Sequence, residues 1–380
     1  MDSERKFDLI TRNLDEVLVA DEVKAYIEQG IPLNHYIGFE ISGKIHIGTG
    51  FMSMFKVKDL LDAGVNCRVF LADWHTWIND KLGGDMPTIQ KVAVGYYKEA
   101  FKAVLKAIGG DPEKLKFVLG SELYHNNDEY WQTMIDVSKH TSLSRIKRSI
   151  SILGRKEGED VDFAKLIYPP MQVADIFAQK LTIMHAGMEQ RKAHVIARDV
   201  ALGINSNKVL NQKGEKLKPI ALHQHIILGL QKPPIWPVPK EQLQDMRAAM
   251  KMSKSKPNSA IFVTDTVEEI RKKINLAFCP AGDVEYNPLL DWAKHVFFRE
   301  KNEFAIERPE KFGGDITYES FEAMKKDFAA KKLSAVDLKN SMSDKMVSLL
   351  APVTKHFESG APRKMADELD ELITGLKNLR

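Results

Sequence analysis

His35-Tyr36-Ile37-Gly38-Phe39-Glu40-Ile41, a turn at Ser42-Gly43-Lys44, and a helical period from Ile47 through Leu61 form the stretch on which the fold turns. An apolar run of strand length, a small-residue turn and apolar spacing of three to four residues read as strand, turn, helix. The pattern recurs: Arg68-Val69-Phe70-Leu71-Ala72 reads as a second buried strand, and after Gly83-Gly84 an amphipathic helix runs from Met86 to Ile108. Phe117-Val118-Leu119 is a third strand candidate, and Leu181-Thr182-Ile183-Met184-His185 a fourth. Between them, helical stretches from Tyr130 to Gly154 interrupt the alternation as an insertion would. Strands alternating with helices imply βαβ units and a parallel sheet, with a ligand crevice at the carboxyl ends of its strands. Tyr36 to His46 and Ala72 to His75 are thereby expected at the crevice.

The 380 residues favour two globular units. Four prolines between Gln231 and Pro239 rule out helix or central strand there and make a stiff connection leading to Lys251. After Asp265 helical patterns dominate, which gives expected domains of 1–258 and 259–380. With 44% hydrophobic and 28% charged residues the composition is that of a soluble globular protein. The amino terminus opens on charges, and no apolar run reaches the length of a membrane span, so a cytoplasmic chain without membrane contact is expected. Two cysteines, Cys67 and Cys279, make neither a disulfide framework nor a paired zinc site. The net charge of +3 excludes a polycation that coats nucleic acid, leaving only local clusters for RNA contact. Lys139, Arg145, Lys147, Arg148, Arg155 and Lys156 form one such cluster without an acid among them. It reads either as a solvated helix face or as an RNA contact.

Two short strings carry chemistry. His46-Ile47-Gly48-Thr49 falls where the first strand has turned into its helix, a place where free backbone N–H groups favour phosphate and Gly48 admits close approach. Taken alone, His46 could equally be a packing or capping residue. Lys251-Met252-Ser253-Lys254-Ser255 supplies cations and hydroxyls on a small-residue loop, able to neutralise a triphosphate or simply to lie in solvent.

Taken together, in this order, with a helical region following, the strings resemble the HIGH and KMSKS signatures of class I aminoacyl-tRNA synthetases, the second matching letter for letter. Tyr36 to Glu40, Leu71 to His75, Tyr168 to Asp175, Gly187 to Lys192 and Arg308 to Asp315 are similar to segments of archaeal tyrosyl-tRNA synthetases. One departure stands out: Thr49 replaces the second histidine of the first signature. The resemblance implies a Rossmann-type catalytic domain with a helical insertion and a mostly α anticodon-binding domain. It implies that Tyr36 and Asp175 bracket a substrate phenol, and that Tyr168, Gln172 and Gln190 surround its ammonium. ATP contacts are implied at Gly38, Glu40, His46, Gly48, Thr49, Lys251, Met252, Ser253, Lys254 and Ser255, with His46, Lys251 and Lys254 stabilising the transition state. Contacts to tRNA are implied at Arg148, Arg191, Lys192, Phe312 and Asp337, where Ser334-Ala335-Val336 stands in place of a His-Pro pair of relatives. Mg²⁺ is expected with ATP and no metal in a protein cage; tRNA(Tyr), tyrosine and a second copy of the chain are the implied partners. Two rival readings are the sister tryptophanyl enzyme and a synthetase-like RNA-binding protein without catalysis.

Overall fold

Asn34–Phe39 forms the central strand because three successive side chains, His35, Tyr36 and Ile37, are buried, as expected of a parallel strand covered on both faces. The computed structural model describes residues 1–155, 158–239, 241, 246, 249–299 and 303–378, so Lys156 of the basic cluster lies outside the described residues. The strands of the main sheet are β1 (Glu16–Leu18), β2 (Asn34–Phe39), β3 (Asn66–Leu71), β4 (Lys116–Leu119), β5 (Ile183–Gly187) and β6 (Ile220–Gln224). Their order is β1-β6-β5-β2-β3-β4, all parallel except β1, which runs antiparallel to β6. From β2 the chain proceeds to β3 and β4 on one side and later to β5 and β6 on the other, so the order reverses between β2 and β5. Beyond the carboxyl ends of those two strands lie Glu40 and the Met188–Gln190 turn, at the switch point where such sheets take ligands.

Each of the four expected strands is present within a residue or two. The helix from Met86 reaches Ala107 as expected, with one wide turn at Ala93–Tyr97 in its middle. Asp128–Lys139 and Leu143–Ser149 form the helical insertion. The Phe163–Ala178 helix continues through Pro169 and Pro170, which lack the N–H groups that would bond back to Lys165 and Leu166. Its start is fixed by Asp162, whose carboxylate accepts from the Lys165 N–H at 3.1 Å.

Contacts divide the chain into two units: Met1–Gly43 with Ser53–His225 and Asp367–Arg380, and Lys44–Met52 with Ile226–Ala366. The expected boundary after residue 258 is therefore not where contacts separate the chain. Lys44–Met52 joins the second unit through backbone bonds: Ile47 N–H donates to Ile261 O at 2.9 Å and Val263 N–H to Ile45 O at 2.9 Å. The last residues join the first unit, where Lys91 pairs with Glu368 at 2.8 Å.

The second unit is mostly helical, with Val267–Asn275, Phe321–Ala329 and Ala335–His356 as its longer helices. Thr266 and Glu269 close a reciprocal cap on the first of these. An unforeseen antiparallel hairpin, β7 (Phe304–Ile306) and β8 (Ile316–Tyr318), contributes Phe304 and Ile306 to a core with Trp292, Phe328 and Met346.

Candidate active site

In the first unit, the Phe163–Ala178 helix directs three polar residues to one face by their spacing of four and three: Tyr168, Gln172 and Asp175. Asp175 is 1% exposed. Its Oδ1 accepts from the Tyr124 hydroxyl at 2.9 Å and the Tyr130 hydroxyl at 3.1 Å, while Oδ2 lies 3.6 Å from His75 Nε2. Burial pushes the Asp175 carboxyl up to about 8 although the two tyrosine hydroxyls pull it down. His75, desolvated beside it, is held down to about 3 and is neutral. Tyr36, on β2, is 3% exposed, and burial followed by the charge of Asp175 raises its pKa. Its hydroxyl has no hydrogen-bond partner among the described residues. A carboxylate oxygen, an unpaired imidazole nitrogen and an unpaired phenol thus remain for a polar group that the protein does not itself provide.

Tyr168 donates from its hydroxyl to Glu40 Oε1 at 2.9 Å, and Asn79 Nδ2 donates to the same oxygen at 2.9 Å. Glu40, expected among the ATP contacts, is thereby tied to residues of the amino-acid side. Gln172 donates to Gln190 Oε1 at 3.1 Å, and Gln190 donates to Ile152 O at 3.0 Å, which leaves Gln172 Oε1 buried with no partner among the described residues. That lone acceptor suits an ammonium group. Gly38 sits near the end of β2, exposed, and a Cβ there would make only ordinary contacts with Tyr36 and Phe70.

In the second unit, His46 bridges to Phe262, and the Lys251 string begins where Lys251 bridges to Leu228. Gly229 N–H donates to Met250 O at 2.6 Å and Leu230 N–H to Ser259 O at 2.9 Å, fastening the string at both ends. A Cβ at Gly229 would lie 2.9 Å from both carbonyl oxygens, so only glycine fits that approach. Within the string, Ser253 and Ser255 hydroxyls are 2.8 Å apart and Met252 is buried. Desolvation, then the charges of Lys254 and Lys251, hold His46 down to about 3. Both cations and a neutral imidazole are therefore grouped in this unit with Gly48 and Thr49.

The residues expected at tRNA have mixed surroundings. Arg148 is exposed, and its carbonyl accepts from Lys192 Nζ at 2.7 Å. Arg191 is not free-standing: Glu16 grips its guanidinium with contacts of 2.8 to 3.0 Å and also accepts from His223 Nδ1 at 2.7 Å. That chelated geometry makes Arg191 a tether for the edge strand β1. Phe312 is 61% exposed, with Lys311 Nζ 5.0 Å from its ring centre. Asp337 stands in the first turn of the Ala335–His356 helix, where Ser334 Oγ donates to its Oδ2 at 2.8 Å. Arg308 links the two places by donating to Gly314 O at 2.5 Å and to Lys332 O at 3.1 Å.

Tyr124, Tyr130, Asn79 and the role of His75 are absent from the sequence reading. The first two lie some 45 to 51 positions before Asp175, and no local spacing connects them.

A sheet with this switch point, bearing a buried carboxylate–phenol cluster in one unit and the two signature strings in the other, defines a class I synthetase. Residues 28–351 match the family model described as tRNA synthetases class I (W and Y), and the chain belongs to that family. It is 57% identical over 361 residues to the tyrosine–tRNA ligase of Thermococcus sibiricus, covering 94% of this chain and 96% of that protein. It is similar to the structure of tyrosyl-tRNA synthetase complexed with L-tyrosine from Pyrococcus horikoshii, with a TM-score of 0.93 and 52% identity over 99% of this chain and 100% of that one. The tyrosyl-tRNA synthetase structure from Aeropyrum pernix gives a TM-score of 0.80 at 37% identity, covering 98% of this chain and 100% of that one.

Proposed function

We propose that the chain is a tyrosine–tRNA ligase: it activates tyrosine with ATP to tyrosyl-adenylate and pyrophosphate, then transfers the tyrosyl group to the 3′ end of tRNA(Tyr). The observation that carries the substrate is the Asp175 cluster. Its open Oδ2 and the unpaired groups of His75 and Tyr36 suit a phenol O–H, whereas an indole would leave the Tyr36 oxygen without a donor or acceptor of the right reach. Tyrosine's ammonium meets Gln172, Tyr168 and Gln190. Its carboxylate attacks the α-phosphorus, the bond to the pyrophosphate breaks, and Lys251 and Lys254 offset the charge that develops as pyrophosphate leaves. Gly38, Gly48, Met252, Ser253 and Ser255 line the nucleotide in this reading, and Mg²⁺ enters as part of the ATP complex. No protein nucleophile is needed, since the substrate carboxylate is the attacking group and holding it against the phosphate supplies much of the acceleration.

For RNA we propose that Arg148 and Lys192 meet the acceptor end, and that Phe312 and Asp337 hold the first anticodon base by stacking and one carboxylate contact. Arg191 acts there only through the Glu16 tether. Residues 259 onward serve as the anticodon-binding part, a functional division that does not coincide with the contact-defined units. We further propose a homodimer in the cytoplasm, which sedimentation of the purified chain tests; no helix among the described residues is long and apolar enough to cross a membrane.

The activity is tested by amino-acid-dependent ATP–pyrophosphate exchange with tyrosine, tryptophan and phenylalanine. Exchange with tyrosine alone is expected; exchange with tryptophan would overturn the substrate, and exchange with none would return the chain to a non-catalytic RNA-binding role. Phe312→Ala is expected to leave exchange unchanged and to lower kcat/KM for tRNA charging about tenfold, the lower range of what a lost base–aromatic stack costs. Undiminished charging would remove Phe312 from the interface.

A further inference from the structure

Thr49 stands where the first signature ordinarily has its second histidine, and both its backbone and its hydroxyl face the ring of His46. Thr49 N–H donates to His46 O at 2.9 Å and shares that hydrogen with His46 Nδ1 at 3.2 Å, while Thr49 Oγ1 lies 3.2 Å from His46 Nε2. A backbone N–H can only donate, so a proton on the Nδ1 it faces would set two N–H groups against each other, and the geometry favours a lone pair on Nδ1. The single proton of the neutral imidazole is then on Nε2, and Nε2–H donates to Thr49 Oγ1. Both ring nitrogens are satisfied by residue 49, and the hydroxyl hydrogen of Thr49 has no acceptor among the described residues. Gly48 makes this possible, because a Cβ at position 48 would lie 3.2 Å from His46 Nδ1 and 3.3 Å from Cε1.

We propose that in this chain Thr49 is the group that donates a hydrogen bond to the nucleotide phosphate, and that His46 is a positioning residue that acts through it. Accepting from Nε2–H polarises the Thr49 hydroxyl and strengthens its outward donation, as in any chain of hydrogen bonds. It also fixes the hydroxyl's rotation, so that the donor is aimed before ATP arrives. Protonation of His46 would set two N–H groups against each other at Nδ1, so the relay works only with a neutral ring. Desolvation, then the charges of Lys254 and Lys251, favour that neutral state. This inference rests on the activity proposed above.

Two measurements on the full chain test it. Nitrogen-15 NMR of histidine-labelled protein reads which His46 nitrogen carries the proton: Nε2–H, unchanged between pH 5.5 and 8, is expected, and a proton on Nδ1 overturns the proposal. Pyrophosphate exchange is then compared for Thr49→Val, Thr49→Ser, His46→Ala and the Thr49→Val/His46→Ala pair. Thr49→Val is expected to lower kcat about 10²-fold, the loss typical of one preorganised donor, with KM for tyrosine unchanged. Thr49→Ser should recover to within a few-fold, and the double variant should be no slower than Thr49→Val alone. Wild-type exchange by Thr49→Val, or losses in the double variant that multiply, would overturn the proposal. Retained tyrosine binding shows that a variant is folded; if Thr49→Val does not fold, the tautomer measured in the unaltered chain and the activity of Thr49→Ser decide. Absence of tyrosine-dependent exchange in the unaltered chain would instead sink the activity, while the tautomer stays measurable.

Discussion

Asp175→Asn is expected to reduce the preference for tyrosine over phenylalanine, measured as the ratio of kcat/KM in pyrophosphate exchange, from roughly 10⁴–10⁵ to roughly 10². The starting ratio is a magnitude established for tyrosine-selective synthetases themselves rather than one obtained from this geometry. Its physical source is visible in the pocket. Asp175 Oδ1 is occupied by the Tyr124 and Tyr130 hydroxyls, so Oδ2 is left to meet a substrate, and among the described residues His75 Nε2 and the Tyr36 hydroxyl have no hydrogen-bond partner. Tyrosine satisfies these groups, whereas phenylalanine seals them from water unpaired, at about 1–3 kcal/mol for each neutral group and more for a charged one. Asparagine keeps the volume but puts an amide nitrogen, which cannot accept, on a group that took two hydroxyls and the substrate, so rejection of phenylalanine weakens. Tyrosine itself should lose about 10-fold in kcat/KM, the upper range for one hydrogen bond between neutral groups. An Asp175→Asn enzyme that still rejects phenylalanine by more than 10⁴ would move discrimination to Tyr36 and His75 alone.

The same cluster shows what can and cannot be read along a chain. Tyr168, Gln172 and Asp175 are legible because helical spacing alone puts them on one face, and the Phe163–Ala178 helix carries them there despite two internal prolines. Tyr124 and Tyr130 are not legible, because their partnership with Asp175 forms only when the insertion helices fold against that helix. Strands β2 to β5 announce themselves as apolar runs between turns. By contrast β6 reads Ile220-Ala221-Leu222-His223-Gln224, with two polar residues buried in pairings that no local rule foresees, and β1 is three half-buried residues long. Arg191 shows the converse: its place within the Gly187 to Lys192 segment suggests RNA by resemblance, while the partner that its guanidinium takes, Glu16, is far away in sequence and leaves no local mark. The unit boundary was hidden for a similar reason. Lys44–Met52 follows β2 directly, yet its backbone pairs with residues 261–263, and pairing of that range leaves no mark on composition or periodicity.

Buried histidines make a second large effect, a loss of stability in mild acid. His35 Nε2 lies 3.2 Å from His185 Nδ1, and His185 Nε2 lies 3.0 Å from Gln224 Oε1, whose amide nitrogen donates to Ser53 Oγ. Each proton in this row has one acceptor, and it ends at His35 Nδ1, which is buried without a partner among the described residues. A further proton there would have nowhere to donate, in a place that Arg68 and Lys56 already make positive. Burial holds His35 and His75 down to about 3 and moves His185 and His194 down as well. His194 is stacked on His223, which faces Glu16 and Arg191. In the unfolded chain these histidines titrate near 6.5. Below that pH the unfolded state binds more protons than the folded one, so the contribution of neutral burial is complete above about pH 7 and is lost as pH falls through 6.5. Between pH 6.5 and 5.5 each such histidine costs about 1 kcal/mol. Asp175, raised to about 8, acts in the other direction: its burial stabilises the fold while it is protonated, and that contribution is lost as pH rises from about 4 to 8, so it offsets roughly one histidine in this window. In the first unit these four histidines less one carboxyl leave a net loss of about 3 kcal/mol between pH 6.5 and 5.5, and His46 in the second unit, also held down to about 3, adds about 1 kcal/mol more, together a large part of the ~5–15 kcal/mol typical of a folded protein. Chemical denaturation at pH 7.5, 6.5 and 5.5 reads this as a steep fall in the midpoint, and His35→Asn should flatten it by about one histidine's share. A midpoint that stays level over that range, or a His35 resonance that titrates near 6.5 in the folded chain, would mean that the histidine row is hydrated and carries no such linkage.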